Sequence, residues 1–279
     1  MHTQNSNNKY VIDPEPMINA RQAVLLVLFV FILSNIATLI LAHFFGIHTI
    51  SFMVEIGVFL MPVVILAAHV KYPFDDFVRP KNFLRIDLNL ITIFNTIFLV
   101  IIAAMLLEFV QRYLPFSEEQ MEMRRELLMP GGDVPFIVVF LSVAVIPGIC
   151  EEALFRGVIQ PSLIKRFGPY AGIAVTALLF AAAHAQIQAF ISLFILGIFL
   201  GIIAFRGGTF LYAVVSHTIF NGIAVIVAKI AETEGVEVQD GGFSISLGIV
   251  LLTIFIVLMV MLFRLTPKRR VGEPDMYHI

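Results

Sequence analysis

Charge is scarce in this sequence of 279 residues: 14% are Asp, Glu, Lys or Arg, against about 25% in an average soluble domain. A chain that poor in charge cannot cover a water-facing body. An ordinary soluble fold is excluded, and a solvent that does not hydrate charge is called for. The 18 basic residues are offset by 20 acids and form no patch, which removes nucleic acid as a partner. Cys150 is the single cysteine, so an intramolecular disulfide and a multi-cysteine metal centre are impossible. A secretory signal peptide is not expected, because residues 1–22 are polar and contain prolines and the apolar run that follows is too long for a signal h-region. No internal repeat is visible.

What the chain has in excess is apolar length, with 59% hydrophobic residues and a mean hydropathy of +0.95. A membrane crossing takes about 20 apolar residues. Such runs lie at about 23–43, 52–70, 88–111, 134–150, 169–185, 188–205, 210–229 and 244–263. They predict an all-α, polytopic transmembrane bundle of about eight spans. One membrane domain covers 23–265, between an N-terminal tail (1–22) and a basic C-terminal tail (266–279), and both tails are expected to be flexible. With the N-terminus inside, only Arg112, Arg124, Arg125 and Lys229 fall on outer segments, and the other fourteen of the 18 Lys and Arg fall on inner ones. By the positive-inside rule both termini are then cytoplasmic, which requires an even number of spans. The compact loops suit a prokaryotic inner membrane.

Two acidic stretches stand outside the apolar runs. Residues 117–133 predict a short amphipathic helix at the outer surface, and residues 232–240 predict a loop. Gly197 and Gly201 make a small-xxx-small pair in the sixth run, read as close helix packing rather than chemistry.

Polar residues inside apolar runs are informative, because burying them is costly unless they are paired or functional. Glu151, Glu152 and Arg156 follow Pro147-Gly148, His184 ends the fifth run, and His217 and Asn221 sit within the seventh. The first half offers only scattered candidates such as Asn35, Glu55, His69 and Asn95, each isolated and read as a packed or interfacial polar residue. Spacing shows which groups can meet. Glu152 and Arg156 are four apart in the favourable acid-before-base order. Glu151 lies about 100° around the helix and cannot share that partner equally, so one glutamate is structural and the other is free for chemistry. Phe167-Gly168-Pro169 reads as a turn between two helices. Glu151 and His184 are equally far from it, which levels a carboxylate with an imidazole on facing helices. His217 and Asn221 share one face, although simple counting leaves His217 shallower than His184.

These residues resemble the CAAX-protease and bacteriocin-processing (CPBP, or Abi) family of intramembrane proteases, which includes Rce1-type prenyl-protein proteases. Glu151-Glu152-Ala153-Leu154-Phe155-Arg156 matches its EExxxR motif, with Gly157 after it. Phe180-Ala181-Ala182-Ala183-His184 matches FxxxH, and His217-Thr218-Ile219-Phe220-Asn221 matches HxxxN. The ordered trio covers a protease core of about 135–230.

The resemblance implies hydrolysis of peptide bonds in membrane-associated proteins or peptides. Glu151 would act as general base with help from His184, and His217 and Asn221 would donate to the developing oxyanion. Glu152 with Arg156 would hold the helix and tune the base. The family is often named as metalloproteases, and Glu151, His184 and His217 could supply a three-ligand zinc site. Against this, there is no HExxH and Asn221 is a poor zinc ligand, so a metal-free glutamate mechanism is expected and a divalent metal is the alternative. Two other classes compete: a non-catalytic CPBP-type scaffold or bacteriocin immunity protein, and a transporter. Intact motifs argue against the first. The second predicts repeats and broken helices in both halves, whereas here the polar residues crowd one half.

Overall fold

The computed structural model describes residues 11–129, 134–234 and 245–271. Among the described residues, nine helices of eleven residues or more carry the chain: α1 Ala20–Leu41, α2 Ile47–His69, α3 Ile86–Gln111, α4 Glu118–Leu128, α5 Phe136–Phe167, α6 Pro169–Ala183, α7 Phe190–Gly207, α8 Leu211–Glu234 and α9 Ile245–Leu265. Seven of them are long and apolar enough to cross a membrane. α4 is the surface helix expected between 117 and 133, opened by a reciprocal Ser117–Gln120 capping box; residues 130–133 lie outside the described residues. Of the second acidic stretch, residues 232–234 continue α8, and the rest lies outside the described residues.

The expected eight spans meet one qualification. The fifth run forms only the 15-residue helix α6, about 22 Å long at 1.5 Å per residue, short of the ~30 Å hydrocarbon thickness. α6 packs along the end of α5 and along α7, so its C-terminus stops inside the bundle. His184 caps that end, and the short helix sets it at depth.

Three helical stretches have the wider π geometry: Glu55–Leu60 in α2, and Leu141–Val145 and Ala153–Ile159 in α5. Each is followed within two residues by a proline, Pro62, Pro147 and Pro161. Proline has no N–H to give and its ring crowds the carbonyl four residues back. A widened turn relieves that crowding and leaves backbone carbonyls for other helices. The outcome is visible on α5. Ser142 O accepts from Ser51 Oγ of α2 at 2.8 Å, and Val143 O, facing Pro147, accepts from Asn221 Nδ2 of α8 at 3.1 Å.

Glycine brings α5, α6 and α7 together. A Cβ on Gly197 would lie 2.9 Å from Ala177 Cβ of α6, and one on Gly201 would lie 2.7 Å from Gln160 Oε1 of α5. This is the predicted close packing. It also exposes the glycine carbonyls, so that Arg156 Nη2 donates to Gly197 O at 3.1 Å and Gln160 Nε2 to Gly201 O at 3.0 Å. The turn at Gly168 has φ 82, a conformation glycine adopts freely.

Short described parts of the two tails pair with each other, and residues 1–10 and 272–279 lie outside the described residues. Val11–Asp13 (β1) pairs in parallel with Arg269–Val271 (β2), and the Asp13 carboxylate accepts from Arg79 and Arg269. Strands flanking the first and last membrane helices therefore meet. Burial raises the Asp13 carboxyl above its ordinary value, against the pull of both arginines.

Candidate active site

The six residues singled out above come together where α5, α6 and α8 meet. Glu152 and Arg156 form the expected i,i+4 pair at 2.9 Å, both side chains without solvent exposure. The π geometry between them does not break it. The Arg156 guanidinium also lies over the Phe180 ring, 4.6 Å from its centroid. Glu152 has a second partner that spacing did not reveal: its Oε1 accepts from His217 Nδ1 at 2.8 Å. His217 is thus level with the α5 acids, and the shallow position counted from the α7–α8 turn is corrected. Gly148 makes this possible, since a Cβ there would meet Thr218 Oγ1 at 2.6 Å; α8 approaches α5 closely beside His217.

Glu151 has no such tie. It is buried, and its Oε2 has no hydrogen-bond partner. The nearest ionisable partner is His184, with Nε2 3.9 Å from Oε2. The levelling of these two residues about the Gly168 turn is therefore found in space. His184 Nδ1 lies 2.8 Å from Phe180 O. A carbonyl can only accept, so Nδ1 carries the proton and Nε2 of the neutral ring is an acceptor facing the carboxylate. A gap of 3.9 Å is too long for a direct hydrogen bond.

Phe180 links these groups. It is fully buried, with ring centroids 4.7 Å from His184, 5.8 Å from His217 and 5.2 Å from Phe155. Asn221, half-buried one turn beyond His217, spends one N–H on Val143 O and keeps the other. Among the described residues, no three of His, Cys, Asp and Glu converge as a metal-binding group. His217 engages Glu152 through Nδ1, which leaves its Nε2 uncommitted.

The isolated polar residues of the first half differ in how they are satisfied. Asn35 and Asn95 donate to carbonyls of their own helices, as packed polar residues do. Glu55 instead is buried with an unpartnered Oε2, on the π stretch of α2 that packs against α5 at Ile146–Glu152. The signal available in the sequence was a glutamate seven residues before Pro62, inside an apolar run.

Residues 133–223 match the family model described as Rce1-like, type II CAAX prenyl endopeptidase Rce1-like. The match runs from the start of α5 into α8 and contains all six motif residues. No curated protein and no solved structure matches the chain. The likeness to the Rce1-like family is carried by this segment.

Proposed function

We propose that this Rce1-like chain is an intramembrane endopeptidase acting on membrane-associated proteins or peptides, CAAX-type substrates among them, with Glu151 as the base that activates water. The observation that carries this reading is the Glu151–His184 pair: two acceptors, Oε2 and Nε2, face each other across 3.9 Å. A water there donates one hydrogen to each and turns its lone pair toward a substrate carbonyl. As the C–O bond forms, the water proton passes to Glu151. As the C–N bond breaks, Glu151 returns that proton to the leaving amine.

His217 and Asn221 serve the oxyanion. With Nδ1–H given to Glu152, the ring reaches the oxyanion through a protonated Nε2. A cationic His217 also brings Glu151, Glu152, Arg156 and His217 to zero net charge, which a site inside a membrane favours. Glu152 holds this donor in place and is itself held by Arg156. No ion is needed to activate the water.

The test is hydrolysis by the purified protein in detergent, assayed against prenylated and unprenylated membrane peptides with and without exhaustive chelation. Turnover that survives chelation and disappears in Glu151→Ala is expected. Activity silenced by chelation and restored by zinc, with stoichiometric bound metal, overturns the metal-free mechanism. The lysine and arginine asymmetry supports a reading in which both tails are cytoplasmic; reporter fusions at either end should both read cytoplasmic, and one external result refutes the orientation.

A further inference from the structure

The first turns of α2 lie far in sequence from the segment that matches the family model, which begins at residue 133. Two of their polar side chains nevertheless reach α5. His48 Nδ1 lies 2.7 Å from Ser142 Oγ, and Ser51 Oγ donates to Ser142 O at 2.8 Å. The Ser142 hydroxyl itself donates to Val139 O at 3.1 Å. It therefore accepts from His48, whose Nδ1 carries the proton. His48 and Ser142 are both buried, so these contacts hold the helix rather than meet a substrate.

The backbone of α5 explains why it takes donors from α2. In the Leu141–Val145 π stretch the Ile146 N–H bonds Leu141 O. The next donor in that ladder would be Pro147, which has no N–H. The Ser51 hydroxyl takes its place at Ser142 O. The following carbonyl, Val143 O, accepts from Asn221 Nδ2 of α8 at 3.1 Å. Both α2 and α8 pack against this stretch. Gly222, beside Asn221, lets α8 come close, since a Cβ there would lie 3.0 Å from Phe140 Cε2. Two consecutive carbonyls of one widened turn thus serve two helices. The two N–H bonds of an amide lie in one plane at a fixed angle, so tying one of them to Val143 O sets the direction of the other.

We propose that Ser51 and His48 are positioning residues for the oxyanion donor: they fix the Leu141–Val145 turn, and its Val143 carbonyl aims the second N–H of Asn221. The proposal rests on Asn221 as an oxyanion donor. It extends the machinery to a helix outside the motif-bearing half and gives the proline-linked turn a task.

The test measures kcat and KM of purified full-length protein on the prenylated and unprenylated membrane peptides of the assay above. Ser51→Ala, Ser51→Thr, His48→Ala and His48→Asn are compared, each with and without Asn221→Ala. Both alanine variants should lose about 10-fold in kcat at unchanged KM, inside the ~10²-fold that a 1 Å misplacement costs. Threonine keeps the hydroxyl, and asparagine presents an N–H near the Nδ1 position, so each should recover most of the loss. In the Asn221→Ala background the alanine substitutions should cost nothing further, because the group they aim is gone. Wild-type kcat in either alanine variant overturns the proposal. So does a loss that persists in full without Asn221, which is what looser packing alone would give. Wild-type kcat in Asn221→Ala by itself would instead overturn the oxyanion reading, so the two failures are distinguishable.

Discussion

Helices α1 and α5 are both apolar enough to cross a membrane, yet only 11% of the α1 window is buried inside the protein, against 56% for α5. α9 resembles α1, at 6%. The outer helices present leucine, isoleucine and phenylalanine to lipid, with Leu39 and Phe29 more than half exposed. They have no use for polar groups that lipid would leave unsatisfied. α5 runs through the interior, where carbonyls and side chains from α2, α7 and α8 meet its polar residues. Hydrophobicity therefore tells that a helix spans, and burial tells what it can carry. Two glutamates and an arginine are tolerated on α5 because each is enclosed by protein rather than by hydrocarbon.

The contrast can be broken most severely at the enclosed ion pair. Arg156→Ala leaves Glu152 buried with only His217, and loses the Gly197 carbonyl contact and the Phe180 ring contact as well. A destabilisation of about 3–5 kcal/mol is expected, read as a lowered Tm in detergent, with activity lost alongside. Glu152→Ala should behave likewise. Either variant melting like wild type would show that the interior of α5 does not depend on this pairing.

Asn221→Ala tests a group that serves both packing and chemistry. If its second N–H meets the oxyanion, turnover falls by about 10²–10³ with KM little changed. Loss of the tie to Val143 alone would cost about 1 kcal/mol of stability and leave kcat near wild type. Kinetics and melting measured on the same preparation separate the two. The smallest effect belongs to the lipid-facing side. Leu39→Ala should change stability by less than about 0.5 kcal/mol, as surface substitutions generally do, and leave hydrolysis untouched. A large loss there would mean that α1 has a protein partner rather than lipid against it.

Much of the site was legible from residue order. The Glu152–Arg156 pair follows from a spacing of four, and the facing of Glu151 and His184 follows from equal distances to the Gly168 turn. Both survive because they depend on local helix geometry and on one hairpin. The bond from Glu152 to His217 was not legible. It joins residues 65 apart and depends on the close approach that Gly148 allows. The burial of Glu55 was not legible for the same reason, since an isolated glutamate in an apolar run looks alike whether it faces a loop, a lipid headgroup or another helix. The three prolines were the overlooked clue, because a proline inside a span announces a widened turn and carbonyls in need of donors.

By itself the sequence determined that this chain resides in a membrane, that its apolar runs number about eight, and that the polar residues of its second half form one set. Composition and periodicity fix those properties, since lipid admits only helices whose backbone is satisfied internally. The tertiary structure decided which polar groups meet. It gave Glu152 two partners and left Glu151 with an unpartnered oxygen toward His184. It also packed the Glu55 stretch of α2 against α5 and clipped the two tails together. Those choices depend on where glycines let helices approach and where prolines open their turns, and such distances exist only once the bundle has packed.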